Sequence, residues 1–258
     1  MEKVIFFGNG PLADYAEAIV KQKCKILFHA RTKDDLEKVK EIKLATPEAH
    51  GILASFGVLI KSDVLDLFEP EGILNIHPSL LPLYRGASPI ESAILNGDTE
   101  FSVSVMKLVK AMDAGPIYYQ TTLSALPLHK DEIYKALAET GAKWIVNNLK
   151  NLPEPVLQED SKATFCGKLE KNMGFLTPET DTAEKIFRKI VAFQAFPKPK
   201  YTFFEVSCII HEAHLLKPNE TAVLSIPCAD RHSVAIDLLQ PEGRKVMDAK
   251  SFLNGYSK

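Results

Sequence analysis

Long apolar stretches are scarce in this 258-residue sequence. The most apolar of them, Gly51 to Ile60 (GILASFGVLI), is about half of the ~20 residues a membrane-spanning helix needs, so no membrane contact is expected. The opening MEKVIFFGNG has neither the cationic lead nor the cleavage site of a secretory signal, which points to the cytoplasm. Cysteine is sparse as well. Cys24, Cys166, Cys208 and Cys228 lie far apart without a C-x-x-C pair, which argues against a disulfide framework or a zinc site and suggests buried thiols. His211 and His214 have no carboxylate or thiol at ligand spacing, so they read as surface histidines and no metal is expected. Neither sign of charge dominates, with 31 Lys and Arg against 33 Asp and Glu, and no internal repeat is visible. A composition of 46% hydrophobic and 25% charged residues excludes disorder and allows one large domain or two smaller ones.

What is present concentrates in NIHPSLLPLYRGASPI, Asn75 to Ile90. Gly72 to Ile76 is a short apolar run, and side chains two apart on a strand share a face, so Asn75 and His77 should point together. Pro78 disfavours helix at His77 and keeps it extended, which presents the pair at the carboxyl end of a strand, where open α/β sheets hold their ligands. An amide N–H and an imidazole aimed at one spot suit a carbonyl that becomes an oxyanion, and hence acyl transfer. Taken alone, the two residues fit equally well a pair that hydrogen-bonds the start of a turn.

AMDAGPI, Ala111 to Ile117, predicts a tight loop between strands at Phe101 to Leu108 and Ile117 to Leu123. Asp113 on that loop can orient the imidazole or accept a hydrogen bond from an incoming nucleophile; it also suits a turn residue capping its own loop. The combination of N-x-H-P-S-L-L-P, then R-G, then M-D-A-G at this distance resembles the folate-dependent formyltransferases. That resemblance implies that Asn75, His77 and Asp113 form the catalytic constellation that moves a formyl group from 10-formyltetrahydrofolate, the folate co-substrate, to an amine. It also implies that Phe56, Gly57, Val58 and Leu59 belong to the pterin pocket and that the loop with Ser79, Leu80, Leu81 and Pro82 shapes the folate and acceptor clefts. By residue type alone, Phe56 to Leu59 suit core packing equally well.

In chain order, KVIFF reads as a buried strand, and Leu12, Tyr15, Ala16, Ile19 and Val20 follow helical spacing. Gly8, Gly10 and Ala13 fit a dinucleotide fingerprint, with Arg31 able to meet a phosphate, but glycines that merely allow a tight strand-to-helix turn explain the same spacing. A helix over Asp34 to Lys43, a strand from Gly51, and a helix over KSDVLDLF with Ser62 as N-cap continue a β-α alternation. A helix over Ile90 to Asn96 closed by Gly97 comes next. After the two strands around Asp113, Ile133, Leu137, Gly141, Trp144 and Leu149 mark the stripe of a long helix.

NLPEPVLQEDSKAT has two prolines and no period, so a linker is expected at 151–172, between a Rossmann-like catalytic domain at 1–150 and a second domain at 173–258. Asp181 and Glu184 read as a capping box for a helix whose apolar side is Ile186, Ile190 and Phe193. Tyr201 to Ile210, Ala222 to Ile226 and Ser233 to Leu239 are short, β-branched and divided by turn residues, which suggests a small antiparallel barrel ended by a helical turn, AKSFLNGY. The expected fold class is therefore α/β: a mainly parallel Rossmann-like sheet followed by an OB-like β-barrel. The second half is similar to the OB-like domain of the family members that formylate methionyl-tRNA, above all at LQPEGRKVMDAKSFLNGY and KIFRKIVAFQAFPKPKYTF.

Up to Ser161 there are 17 basic against 22 acidic residues, whereas Lys162 onward has 14 against 11. Lys185, Arg188 and Lys189 share a helical face, with Lys198, Lys200, Arg244 and Lys245 as extensions, an arrangement suited to phosphates; a solvated helix face is the plain alternative. Arg85 could hold a loop or a phosphate. The resemblance implies formylation of methionyl initiator tRNA for translation initiation, and a monomer is expected. Rival acceptors are a nucleotide-linked amino sugar and water, as in 10-formyltetrahydrofolate hydrolases, and a non-catalytic nucleic-acid-binding protein is the non-enzyme alternative. Between the second strand and the next helix only Arg31 to Asp35 intervenes, where bacterial tRNA enzymes of the family carry a longer basic insertion.

Overall fold

A computed structural model describes residues 1–124 and 129–256. They divide into two compact units, Met1–Ile90 with Thr99–Gly167 and Glu91–Asp98 with Lys168–Lys258.

The first unit contains β1 (Glu2–Gly8), α1 (Pro11–Lys23), β2 (Cys24–Ala30), α2 (Asp35–Ala45), β3 (His50–Ala54), a short α3 (Ser62–Leu65), β4 (Ile73–His77) and β5 (Arg85–Gly86). After α4 (Pro89–Asn96), most of which counts with the second unit, come β6 (Phe101–Lys107), β7 (Ile117–Leu123), α5 (Lys130–Asn148) and β8 (Phe165–Cys166). The main sheet runs β2-β1-β3-β4-β6-β7, with β1 to β4 parallel and β6 and β7 antiparallel. A parallel strand covered on both faces needs an unbroken apolar run, and Val4 to Phe7 of β1 are all fully buried. Pro11 starts α1 at a position where its missing N–H costs nothing, and Leu12, Ala13, Ala16 and Val20 face inward. Gly8 is needed for a close approach: a Cβ there would sit 2.0 Å from the Ala54 carbonyl oxygen. The glycine pattern at Gly8 and Gly10 thus serves the strand-to-helix turn, while Arg31 lies against His29 and Glu17. Ser62 is the first residue of α3 and not its cap; extended Lys61 holds that position, one residue earlier than the hydroxyl could serve.

The aperiodic stretch expected to be a linker is tied to the first unit as far as Gly167. Val156 exchanges two backbone hydrogen bonds of 2.8 Å with Ile117 at the start of β7, and β8 pairs in parallel with β5. Extended chain at an open strand edge finds backbone partners whatever its side-chain period.

The second unit has α6 (Ala183–Ala192), β9 (Lys200–Phe203), β10 (Val206–Leu215), β11 (Ser225–Pro227), β12 (Ser233–Pro241), β13 (Met247–Asp248) and α7 (Ala249–Tyr256). Its strands form an open, curled antiparallel sheet, β11-β12-β10-β9 with β13 on β12, a half-barrel in place of a closed one. Tyr201 to Ile210 is a hairpin instead of one strand. Phe204 and Glu205 both have positive φ, 47° and 64°, the backbone of a two-residue hairpin turn reached without the usual Asn or Gly. Ile186, Ile190, Phe203, Ile210, Ile226, Ile236, Leu239 and Phe252 fill the core between this sheet and its helices.

Asp181 does not cap α6. Thr182 is the N-cap, accepting from the Lys185 N–H, and the buried Asp181 carboxylate takes Lys185 at 2.5 Å, Lys189 at 2.6 Å and the Thr177 hydroxyl at 2.8 Å. Burial pushes this carboxyl up, but the hydrogen bonds from Lys185, Lys189 and Thr177 outweigh it and hold the pKa at about 2. A group that titrates lower when folded stabilises the fold fully above its unfolded pKa of about 4 and loses that contribution as pH falls toward 2. Asp181→Asn should therefore cost about 2 kcal/mol at neutral pH and flatten the loss of stability between about pH 4 and pH 2. Urea midpoints across that range check it, and parallel acid limbs in the two proteins would remove Asp181 as the cause.

Candidate active site

β4 carries the first two candidate residues. Asn75 and His77 alternate with the buried Leu74 and Ile76, so parity puts them on one face, and they are only 5% and 4% exposed. His77 lies opposite Ser104 of β6, whose fully buried hydroxyl donates to the Ser79 carbonyl at 2.6 Å and accepts from Leu81 N–H at 3.1 Å and Gln120 Nε2 at 2.8 Å. Gln120 Nε2 also donates to the Leu81 carbonyl at 2.8 Å, and Ser79 Oγ donates to the Leu83 carbonyl at 2.7 Å. The loop after His77 is held by these bonds. His77 Nε2 donates to the Tyr84 carbonyl at 3.0 Å; a carbonyl oxygen only accepts, so this nitrogen carries hydrogen. Nδ1 of the neutral ring is then an acceptor. It faces another acceptor, Asp113 Oδ1, at 3.7 Å, which is too far for a direct hydrogen bond. Either a proton on Nδ1 or a donor placed between the two atoms completes such a pair.

Asp113 adopts a left-handed φ of 48°. Its Oδ2 accepts from the Gly86 N–H of β5 at 2.8 Å, leaving Oδ1 toward His77. Its backbone carbonyl accepts from Gln158 Nε2 at 2.8 Å, and the same nitrogen donates to the Gly115 carbonyl at 2.7 Å. Gln158 Oε1 in turn receives Arg85 Nε at 3.0 Å and its terminal nitrogen at 2.7 Å, and that terminal nitrogen also meets Asp160 Oδ1 at 2.7 Å. In chemical terms this is a buried imidazole, a carboxylate fixed beside it and an amide on the imidazole's face, the groups needed to move a proton and to meet developing negative charge.

Residues 10–149 match the formyl transferase family, and residues 168–257 match that family's C-terminal domain. The chain belongs to the formyl transferase family. It is 31% identical over 241 residues to a methionyl-tRNA formyltransferase of Campylobacter lari, covering 89% of this chain and 77% of that protein. A solved methionyl-tRNA formyltransferase from Clostridium thermocellum superposes with a TM-score of 0.67 at 19% identity, over 93% of this chain and 98% of that one. HypX from Aquifex aeolicus, solved in complex with tetrahydrofolic acid, superposes with a TM-score of 0.74 at 16% identity; it covers 100% of this chain, which spans only 48% of HypX. Both solved structures share the fold with this formyl transferase.

Several expected site residues fall elsewhere in this formyl transferase. Phe56 is buried at 3% and packs edge-to-face on Phe7 at 5.7 Å, within the core of the first unit. Val58 packs against the same core, whereas Gly57 is exposed and Leu59 is 73% exposed. Ser79 and Leu81 are buried, Pro82 is half-buried and Leu80 is exposed, so within the second loop Leu80 and Pro82 are the accessible members. Of the two roles expected for Arg85, the contacts are those of a residue that holds a loop. It is 4% exposed, and its guanidinium is taken up by Gln158 and Asp160. Lys185 and Lys189 are paired with Asp181, and Arg188 with Glu184. Lys200 lies over the Phe175 ring at 5.6 Å. Lys198, Arg244 and Lys245 are exposed. Sequence reasoning missed Gln158, Ser104 and Gln120 altogether. Ser104 stands among buried residues of β6, a signal that a polar residue on a core face must have partners; Gln120 on half-buried β7 and Gln158 in an aperiodic stretch give no such signal.

Proposed function

We propose that this formyl transferase moves the formyl group of 10-formyltetrahydrofolate to the α-amine of methionyl initiator tRNA, acting as a cytoplasmic monomer. The observation that carries the reading is the pair of acceptors His77 Nδ1 and Asp113 Oδ1, 3.7 Å apart with the far ring nitrogen fixed on Tyr84. An amine brought to this pair donates its N–H groups to both. Its nitrogen attacks the formyl carbon as His77 Nδ1 accepts the proton it sheds, Asp113 Oδ1 stabilises the charged imidazole, and the Asn75 amide donates to the oxygen that becomes negative. The bond to N10 of the folate then breaks, and N10 takes up a proton relayed by the imidazole. Gly57, Leu59, Leu80 and Pro82 are the accessible positions for the folate among those expected. Curated relatives of this chain at 31% identity are methionyl-tRNA formyltransferases, which favours charged tRNA over an amino sugar or water.

Single-turnover transfer to a panel of acceptors tests the reading: methionyl initiator tRNA should be formylated far faster than a nucleotide-linked amino sugar, with little free formate released. Faster transfer to the sugar, or formate as the main product, would reject it. The phosphate track is assigned first to Lys198, Arg244 and Lys245, because Lys185 and Lys189 must leave Asp181 before they meet a phosphate. Arg244→Ala and Lys245→Ala should each weaken tRNA binding and reduce the salt slope by about 0.7 to 0.9, with folate affinity unchanged. An unchanged slope in both variants would move the contact elsewhere.

A further inference from the structure

We propose that Gln158 is a positioning residue for Asp113, so that the aperiodic stretch 151–167 completes the active site instead of merely joining two domains. The inference rests on the catalytic reading of Asp113 given above. Gln158 lies between exposed Leu157 and Glu159, yet its own side chain turns inward. Its orientation is fixed by its partners. Two carbonyls, Asp113 at 2.8 Å and Gly115 at 2.7 Å, can only accept, so Nε2 must face them; Arg85 can only donate, so Oε1 must face the guanidinium. Both amide hydrogens and the amide oxygen are thereby used.

The loop so held bends sharply. Asp113 has a left-handed φ of 48°, and a Cβ at Gly115 would lie 1.8 Å from the Lys107 carbonyl oxygen, so the chain doubles back tightly there. Gln158 clasps both ends of this bend through backbone oxygens, while Gly86 N–H fixes the carboxylate from the other side. Arg85 is the anchor of the clasp. Its buried charge is met by Asp160 at 2.7 Å and by Gln158, and this explains why a cation in this loop faces inward. Without Gln158 the Gly86 N–H still holds the carboxylate, but the 3.7 Å spacing between Oδ1 and His77 Nδ1 loses its backbone support.

The test is a double-mutant cycle of Gln158→Met, which keeps the volume and removes every hydrogen bond, with Asp113→Asn. In the wild-type background Gln158→Met should lower kcat by roughly 10- to 100-fold, the range expected when a catalytic group is misplaced by about 1 Å. The folate Kd, read by fluorescence titration, should change less than about 3-fold; the unfolding midpoint should fall, since Arg85 and two carbonyls lose partners, while the protein remains folded under assay conditions. In the Asp113→Asn background the same substitution should cost less than about 3-fold, because there is no longer a carboxylate to position. Gln158→Glu keeps the acceptor for Arg85 but sets an oxygen against two carbonyls, and it should be at least as slow as Gln158→Met. A loss from Gln158→Met that is fully additive with Asp113→Asn overturns the positioning role and leaves Asp113 as a catalytic residue. A wild-type rate for Asp113→Asn overturns both.

Discussion

Asn75→Ala should reduce kcat by about 100- to 1000-fold while folate binding is nearly retained, the loss usual when one oxyanion donor is removed. The residue sits mid-sheet at 5% exposure between β3 and β6, paired to Leu53 and Met106, so its amide has almost no freedom to be replaced by a neighbour or by bulk water. An interaction made only as charge develops lowers the barrier without tightening the ground state, which is why kcat and not the folate Kd carries the loss. His77→Ala and Asp113→Ala should be comparably severe. The three groups serve one proton and one oxygen, so the His77→Ala, Asp113→Ala double variant should be only slightly slower than the worse single variant. Single-turnover rates with saturating folate measure all of this. Additive losses would mean that the groups act on separate steps, and a large fall in folate affinity with turnover intact would mean that Asn75 holds the donor and does not act on the transition state.

The parts of this site legible in the sequence are those that obey a period. Asn75 and His77 are two apart on an apolar strand, and Pro78 marks its end; that is enough to predict one face and one end of a sheet. Asp113 stands in a short loop between two strands, and the loop is found because the strands are. For Arg85, in contrast, the sequence leaves open whether it holds a loop or a phosphate, because pattern reports residue type and not partners. Its burial depends on Gln158 and Asp160, 73 and 75 residues away. The same limit applies to α6. The spacing of Lys185, Arg188 and Lys189 marks a common face correctly, but whether that face is free depends on Asp181, four and eight residues before the two lysines and read from spacing as a cap. A helical period says which residues are neighbours; it does not say which charge will be buried between them.

Gly86→Ala should combine a stability loss on the order of 3 kcal/mol with a fall in kcat of roughly 10- to 100-fold. Gly86 has φ of 127°, a backbone that alanine tolerates poorly, and a Cβ there would lie 2.0 Å from the Cys166 carbonyl oxygen across the β5 to β8 pairing. That contact cannot be relieved by a side-chain rotation, because the atom met is backbone. One of the two short strands must move, and their movement is not private to the fold: the Gly86 N–H is the donor to Asp113 Oδ2, while β8 follows the stretch that carries Gln158. Opening the pairing therefore loosens Asp113 at its carboxylate and at its backbone together. Losing a hydrogen bond to a charged acceptor accounts for roughly 1.5 to 3 kcal/mol, which converts to the kcat range given. Gly167→Ala is the control, since a Cβ there meets nothing within 4 Å and the residue has no positive φ; it should be close to wild type in both measurements. If Gly86→Ala unfolds at the same urea concentration as Gly167→Ala, β8 is not packed against β5 in solution. If it is destabilised but turns over at the wild-type rate, Gly86 N–H does not hold the carboxylate that faces His77.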